Sequence, residues 1–197
     1  MLEICTIMTA YLIGSIPFGY LIIKKYKGID IRNVGSGNIG ATNVKRVAGR
    51  KLSLIVQTLD MLKGFLPVFI SSILYEYVNY DFNKDLLLSA VCVATILGHN
   101  FTIFLNFKGG KGVATTVGAT IYILPFPTLC GVISYGILKL LTKIVSVKSM
   151  TLSFVLFITT FILNYSIEFK FLSFLALTLI LIRHKENIKR LLNGTEK

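Results

Sequence analysis

The stretch NVGSGNIGATN, Asn33 to Asn43, contains Gly35-Ser36-Gly37-Asn38-Ile39-Gly40 and so matches G-x-G-x-x-G. Between a strand and a helix of a parallel sheet, that spacing cradles a dinucleotide pyrophosphate. The residues before it, GIDIRNV, could pass for a short strand. Either the glycines belong to a soluble nucleotide-binding sheet, or they serve another purpose, and the fold turns on which.

The surrounding composition decides against the sheet. The 197 residues are 54% hydrophobic and 15% charged, and apolar runs long enough to span a bilayer recur along them. A spanning helix takes about 20 apolar residues. The chain therefore reads as an all-α integral membrane protein forming a single membrane-embedded domain over 1–197, with no room for a sheet between its spans. Helices are expected near 2–23, 52–75, 84–106, 112–124, 126–142, 148–164 and 168–183. Residues 112–138 carry no charge and are too long for one span, and Pro125 and Pro127 favour a break there. The first run has Glu3 as its only early charge and no small-residue cleavage pattern, so it reads as a retained helix rather than a signal peptide. Cys5, Cys92 and Cys130 lie in apolar runs without metal or disulfide spacing.

Charge orients these spans. Eighteen of the 21 Lys and Arg fall in the segments 24–51, 107–111, 139–148 and 183–197, which share one side of a seven-span topology. The positive-inside rule makes that side cytoplasmic, with the N-terminus outside and the C-terminus inside. The net charge of +12 then reflects orientation and anionic lipid rather than nucleic acid. Asp60 and Lys63, inside the second span at i, i+3, are expected to pair and to tether the loop or a neighbouring helix.

Polar glycine-rich segments gather on that same side. Besides the opening stretch they are GHNFTIFLNFKGGKGVAT, His99 to Thr115, then KIVSVKSM, Lys143 to Met150, and the tail RHKENIKRLLNGTE. FKGGKG is not a Walker A loop, because Leu105 and Gly112 stand where Gly and Ser/Thr are required. It reads either as a tight basic turn or as an anion cradle, with Gly109, Gly110 and Gly112 aiming amides, Lys108 and Lys111 adding charge, and a helix starting at VATT. Ser36, Asn38, Thr42 and Asn43 offer hydroxyl and amide groups, and Arg46 suits bidentate phosphate contact. RHKENIKRL is expected to form an amphipathic surface helix. No metal cluster, nucleophile elbow or Ser-His-Asp order is visible among these residues.

Taken together, GSGNIGATNVKR, GHNFTIFLNFKGGKGVAT and HKENIKRLLNGTE resemble, in order and spacing, the three signature motifs of the PlsY family, the bacterial acyl-phosphate:glycerol-3-phosphate acyltransferases. The resemblance runs from YLIGSIPFG to the GTE near the end. It implies seven transmembrane helices, a site facing the cytoplasm in the bacterial inner membrane, and acyl transfer from acyl phosphate to the primary hydroxyl of glycerol-3-phosphate. The products would be lysophosphatidic acid and phosphate, in the first acylation of phospholipid biosynthesis, with no metal, CoA or acyl carrier protein. A functional coupling to the soluble acyl-phosphate synthase PlsX is implied as well. By motif position, Ser36 and Arg46 bind substrate phosphate, and Lys111 with the amides around Gly110 and Gly112 forms a phosphate pocket. His184 and Asn187 orient the acceptor, Ser149 contacts phosphate with Ser146 as the alternative, and Asn38, Thr42 and Asn43 shape the first loop. Glu196 serves structure. The general base is either His184 or, by substrate-assisted catalysis, a phosphate oxygen; the second is expected. Thr102 replaces the family's usual proline, which would loosen the helix end, and Lys148 replaces a small residue, either adding to anion binding or snorkelling. A transporter or flippase of a phosphorylated solute would share seven spans and a basic cavity. Polar groups clustered on one face, without an inverted repeat, favour the enzyme.

Overall fold

The computed structural model describes residues 1–196, whose regular secondary structure is all helical, with no strand among them. Nine α-helices form: α1 Leu2–Ser15, α2 Phe18–Lys27, α3 Ala41–Leu74, α4 Lys84–Asn100, α5 Val113–Thr120, α6 Pro125–Leu141, α7 Val145–Ile162, α8 Ile167–Arg183 and α9 Lys185–Leu192. Four stretches are long and apolar enough to cross a membrane, namely Leu2–Lys27, Ala41–Leu74, Lys84–Leu105 and Val145–Ile162. Buried Val68, Leu87, Val91, Ile96, Leu156 and Leu172 form the core, centred on α4 and shared with α3, α7 and α8. Large apolar side chains such as Leu66, Ile70, Ile133 and Phe154 point outward instead, as lipid permits.

Three boundaries differ from those expected from sequence. The run 2–23 is two helices, because Pro17 has no N–H to continue α1 and the chain turns at Ile16–Pro17. The first loop is shorter than 24–51. A 3-10 turn over Ile31–Asn33 lies inside it, and helix resumes at Ala41, bending at Gly49, where φ is +84°. The expected span 112–124 shrinks to the eight residues of α5, and Pro125 opens α6, where its missing N–H costs nothing. The break anticipated at Pro125 and Pro127 is therefore present.

Breaking α1 leaves the Ile16 carbonyl without a helical partner. Lys63 Nζ donates to it at 2.7 Å and pairs with Asp60 at 2.9 Å, both side chains being almost wholly buried. His99 Nδ1 stands 3.6 Å from the same carboxylate oxygen, so α3 links the α1–α2 break to the end of α4. Thr102 adds a parallel link, since its buried hydroxyl donates to the Ser15 carbonyl at 2.5 Å and accepts from the Phe104 amide at 3.3 Å. It fastens the end of α4 rather than loosening it. Lys148 is buried at 5% exposure, and its ammonium reaches the Thr142 and Lys143 carbonyls at 3.3 and 3.5 Å, just beyond the end of α6.

Removing one partner of a buried pair strands the other charge, at a cost of about 3–5 kcal/mol. D60A should therefore lower the thermal midpoint in detergent much more than the double variant D60L/K63M, which removes both charges.

Candidate functional site

The opening glycine stretch folds around one amide. Asn43 is buried at 1% exposure; its Nδ2 donates to the carbonyls of Val34 at 3.0 Å and Asn38 at 2.9 Å, and its Oδ1 accepts from the Ser36 amide at 2.9 Å. Asn38 in turn accepts from the Gly40 amide at 2.8 Å. Gly35 has φ +62°, and a Cβ there would sit 2.2 Å from Asn43 Oδ1, so the tight wrap requires glycine. Asn43 and Asn38 thus hold the loop, while Ser36, Thr42 and Arg46 are left exposed on it.

The second motif turns sharply after α4. Asn106 and Phe107 both adopt positive φ, +53° and +60°, a conformation costing non-glycine residues about 1–2 kcal/mol each. The turn returns the chain onto α4: the Gly110 and Gly109 amides donate to the carbonyls of His99 at 2.9 Å and Asn100 at 3.2 Å. A Cβ on Gly110 would lie 2.1 Å from His99 Nε2, so glycine is needed for this approach. These bonds correct one expectation, because the Gly109 and Gly110 amides are used inside the loop. The first-turn amides of α5, which begins after Gly112, remain as the donors without helical acceptors.

Arg183, which sequence reasoning read only as an orienting charge, closes the loop from the other side. Its Nε donates to the Gly110 carbonyl at 2.9 Å and its Nη2 to that of Gly109 at 2.7 Å, with the guanidinium 5.2 Å over the Phe101 ring. The last turn of α8 therefore positions the loop and, in the next residues, supplies the third motif.

Lys111 donates to Asn187 Oδ1. Asn187 donates to Glu196 at 2.5 Å, and Glu196 also accepts from Ser146 at 2.8 Å and Arg190 at 2.6 Å. The loop before α5, the start of α7 and the whole of α9 are thereby tied together. Ser149 lies outside this knot: its hydroxyl donates back to the Val145 carbonyl at 3.0 Å, whereas the hydroxyl of Ser146 donates to Glu196. Ser149 has the Val145 carbonyl four residues back within α7, whereas Ser146, in the first turn, has no helical carbonyl at that spacing.

Electrostatics concentrate here. Burial pushes Lys111 down to about 8; Glu196 opposes the shift, while the charges of Arg190, Arg46 and Arg183 deepen it. Arg46 thus acts at the same place as Lys111 although it comes from α3. Burial alone would raise Glu196, but hydrogen bonds from Asn187, Arg190 and Ser146 outweigh it and hold the carboxyl below its ordinary value. His184 is 2% exposed, and burial followed by the Lys111 charge brings it down to about 4. Its Nδ1 lies 2.8 Å from the Ile180 carbonyl, which can only accept, so the neutral ring carries its proton on Nδ1 and a lone pair on Nε2. The charges felt at Lys111, three guanidinium groups against one carboxylate, leave an excess of positive charge suited to anions, and no group of three or more metal-ligating side chains occurs among the described residues.

Residues 4–194 match the family model described as glycerol-3-phosphate acyltransferase. A glycerol-3-phosphate acyltransferase of Clostridium acetobutylicum is 47% identical over 194 residues, covering 98% of both chains. A glycerol-3-phosphate acyltransferase 2 of Thermotoga maritima is 46% identical, covering 95% of this chain and 91% of its own. Among solved structures, PlsY, an integral membrane glycerol 3-phosphate acyltransferase in its glycerol 3-phosphate form, superposes with a TM-score of 0.90 at 38% identity, covering 100% of this chain and 95% of that one. Its lysophosphatidic acid form gives a TM-score of 0.89 at 37% identity, with the same coverage.

With only two histidines in the chain, imidazole NMR resolves His184 readily. The ring should stay in the Nδ1–H tautomer through neutral pH and titrate with a midpoint of about 4. A midpoint at the ordinary histidine value would contradict the burial described above.

Proposed function

The chain belongs to the glycerol-3-phosphate acyltransferase family, and we propose that it transfers an acyl group from acyl phosphate to the primary hydroxyl of glycerol-3-phosphate. The observation that carries this reading is the union of all three motifs at one positively charged cluster, with Lys111 bonded to Asn187 and sensing Arg46. Both substrates are phosphate monoanions or dianions, and acyl phosphate is already activated. The protein's task is then to hold two anions in line and to stabilise charge, which needs no covalent intermediate.

In this reading Arg46 and Ser36 grip the phosphate of glycerol-3-phosphate. Lys111 and the first-turn amides of α5, next to Gly112, take the phosphate of the donor. Asn187 fixes Lys111, Ser146 takes the role assigned by motif to Ser149, and Thr42 stands beside the acceptor loop that Asn38 and Asn43 shape. The acceptor oxygen attacks the acyl carbonyl carbon, the bond from that carbon to the phosphate oxygen breaks, and the hydroxyl proton goes to a phosphate oxygen. Lysophosphatidic acid and phosphate leave. His184, held at about 4 with a backbone carbonyl rather than a carboxylate behind it, is a weaker base than a phosphate dianion. It orients the acceptor through its Nε2 lone pair, and the substrate phosphate is the base.

The same reading makes α1–α2 together one crossing and α3, α4, α6, α7 and α8 five more, with the eight-residue α5 and residues 121–124 completing the remaining passage, within one domain. The clustered basic residues put the C-terminus and the site at the cytoplasmic face of the bacterial inner membrane, and the N-terminus outside. Acyl phosphate, made in the cytoplasm by the soluble synthase PlsX, then arrives on the side where the site opens.

Purified protein given glycerol-3-phosphate and acyl phosphate should form lysophosphatidic acid, and acyl-CoA should not replace the donor. Solute flux across vesicles without product would instead identify a transporter. Lys111 binds anions in its protonated form, so affinity is full below its free-state value of about 8 and falls as pH rises through it. The KM for the donor should climb toward tenfold per pH unit above that point, and K111R, protonated throughout, should remove the climb.

A further inference from the structure

The loop between α4 and α5 turns three large apolar side chains outward. Ile103 is 47% exposed and Phe104 and Phe107 are each 58% exposed, while Leu105 between them is buried with Ile23, Ile31 and Val56. The loop is ordered, not splayed. A 3-10 turn covers Ile103–Leu105, the Phe107 amide donates to the Thr102 carbonyl at 2.9 Å, and the Lys108 amide donates to that of Leu105 at 3.1 Å. Phe107 holds φ +60°, a conformation that glycine adopts freely and a bulky residue does not. A side chain that strains its own backbone and still stays more than half exposed does not serve packing within the chain.

The depth of these rings follows from α4. Lys84 and Asp85 open that helix with full charges, which hold its start at the opposite membrane surface. Its 17 residues rise about 26 Å toward the loop, against about 30 Å of hydrocarbon. Residues 103–108 therefore emerge in the interfacial layer, which accepts apolar rings on its hydrocarbon side and ammonium groups among the headgroups. Lys108, exposed and next to Phe107 in the chain, supplies such an ammonium.

Resting on the acyltransferase reading above, we propose that Phe104 and Phe107 anchor this loop in the lipid interface and thereby set the depth of Lys111 against the phosphate of the membrane-borne donor. The loop is then held on two sides. Arg183 and the His99 and Asn100 carbonyls fasten it to the protein, and the two rings fasten it to the bilayer. The donor carries an acyl chain, so its phosphate has a fixed height in the membrane. Glycerol-3-phosphate arrives from water and has none. An error in the height of Lys111 is therefore felt by the donor alone, and both phenylalanines are positioning residues that touch neither substrate phosphate.

The chain contains no tryptophan, so F104W and F107W each create a single emitter in the full-length protein. In nanodiscs, lipids brominated near the glycerol end of their chains should quench both strongly. Lipids brominated near the methyl end, and acrylamide in the water, should quench them weakly. In the same nanodiscs F107G should raise the KM for acyl phosphate by up to about fivefold, with kcat and the KM for glycerol-3-phosphate unchanged, while F107W keeps the wild-type values. Glycine takes φ +60° without strain, so F107G should keep or raise the thermal midpoint, which separates a lost anchor from a damaged fold. Emission quenched by acrylamide but not by brominated lipid would mean a surface facing water or a soluble partner, and would overturn the proposal. So would a donor KM that does not move, or one that rises together with the KM for glycerol-3-phosphate. Wild-type protein that forms no lysophosphatidic acid from acyl phosphate would instead bring down the acyltransferase reading, and the quenching would still decide whether the rings sit in lipid.

Discussion

The ion pair between Asp60 and Lys63 is the constraint on which the rest of the structure depends. A charge in hydrocarbon is costly unless every polar atom around it finds a partner. Lys63 meets that demand with the Asp60 carboxylate and with the Ile16 carbonyl, which a proline has freed from its helix. Asp60 in turn faces His99, whose backbone carbonyl receives the Gly110 amide. A run of buried polar contacts therefore leads from the broken first helix, through the middle of α3, to the loop that presents Lys111, with the His99 ring 3.6 Å from the Asp60 carboxylate. Moving any member moves the loop.

Around that loop, rigidity and charge are arranged by different residues. Arg183 uses its guanidinium on the Gly109 and Gly110 carbonyls, so its role is to clamp. Arg46 is exposed on the short helical segment before Gly49, and Arg190 is only half shielded where it meets Glu196. The carboxylate of Glu196 gathers Ser146, Asn187 and Arg190, and its position fixes the amide that receives the Lys111 ammonium. Ordered helix ends from α5, α7 and α8 meet there, which is how a protein with little structure outside its helices assembles a polar site at a membrane surface.

Much of this was legible in the sequence. The membrane class follows from apolar runs that recur and exceed a bilayer's thickness, and the pairing of Asp60 with Lys63 follows from their helical spacing. The site motifs were visible because glycine, asparagine and lysine are out of place among such runs. What stayed hidden depended on three-dimensional phase. Pro17 marked a break, but the apolar residues on both sides masked it as one span. Arg183 looked like one more basic residue flanking a span, and nothing in the residue type distinguishes a clamp from a topology signal. Ser146 and Ser149 share a helix face, but Ser149 has a helical carbonyl four residues back to bond, whereas Ser146, in the first turn, has none and reaches Glu196. Asn43 was legible as a residue that shapes the loop, but not as the buried amide at its hub.

The placement of Asp60 and Lys63 on one helix, a single turn apart, also bears on biogenesis. A hairpin of spans leaving the translocon must enter lipid before its later neighbours exist. Had the two charges been carried by different helices, each would have entered unpaired. Here α3 brings its own counter-ion, so the helix partitions into the bilayer as a nearly neutral unit. The Ile16 carbonyl and the His99 ring are then recruited during lateral packing, when α1 and α4 close around it. The polar centre of the protein is in this sense portable: α3 carries its charge pair as a unit, after α1 and before α4, and the two neighbours enclose it.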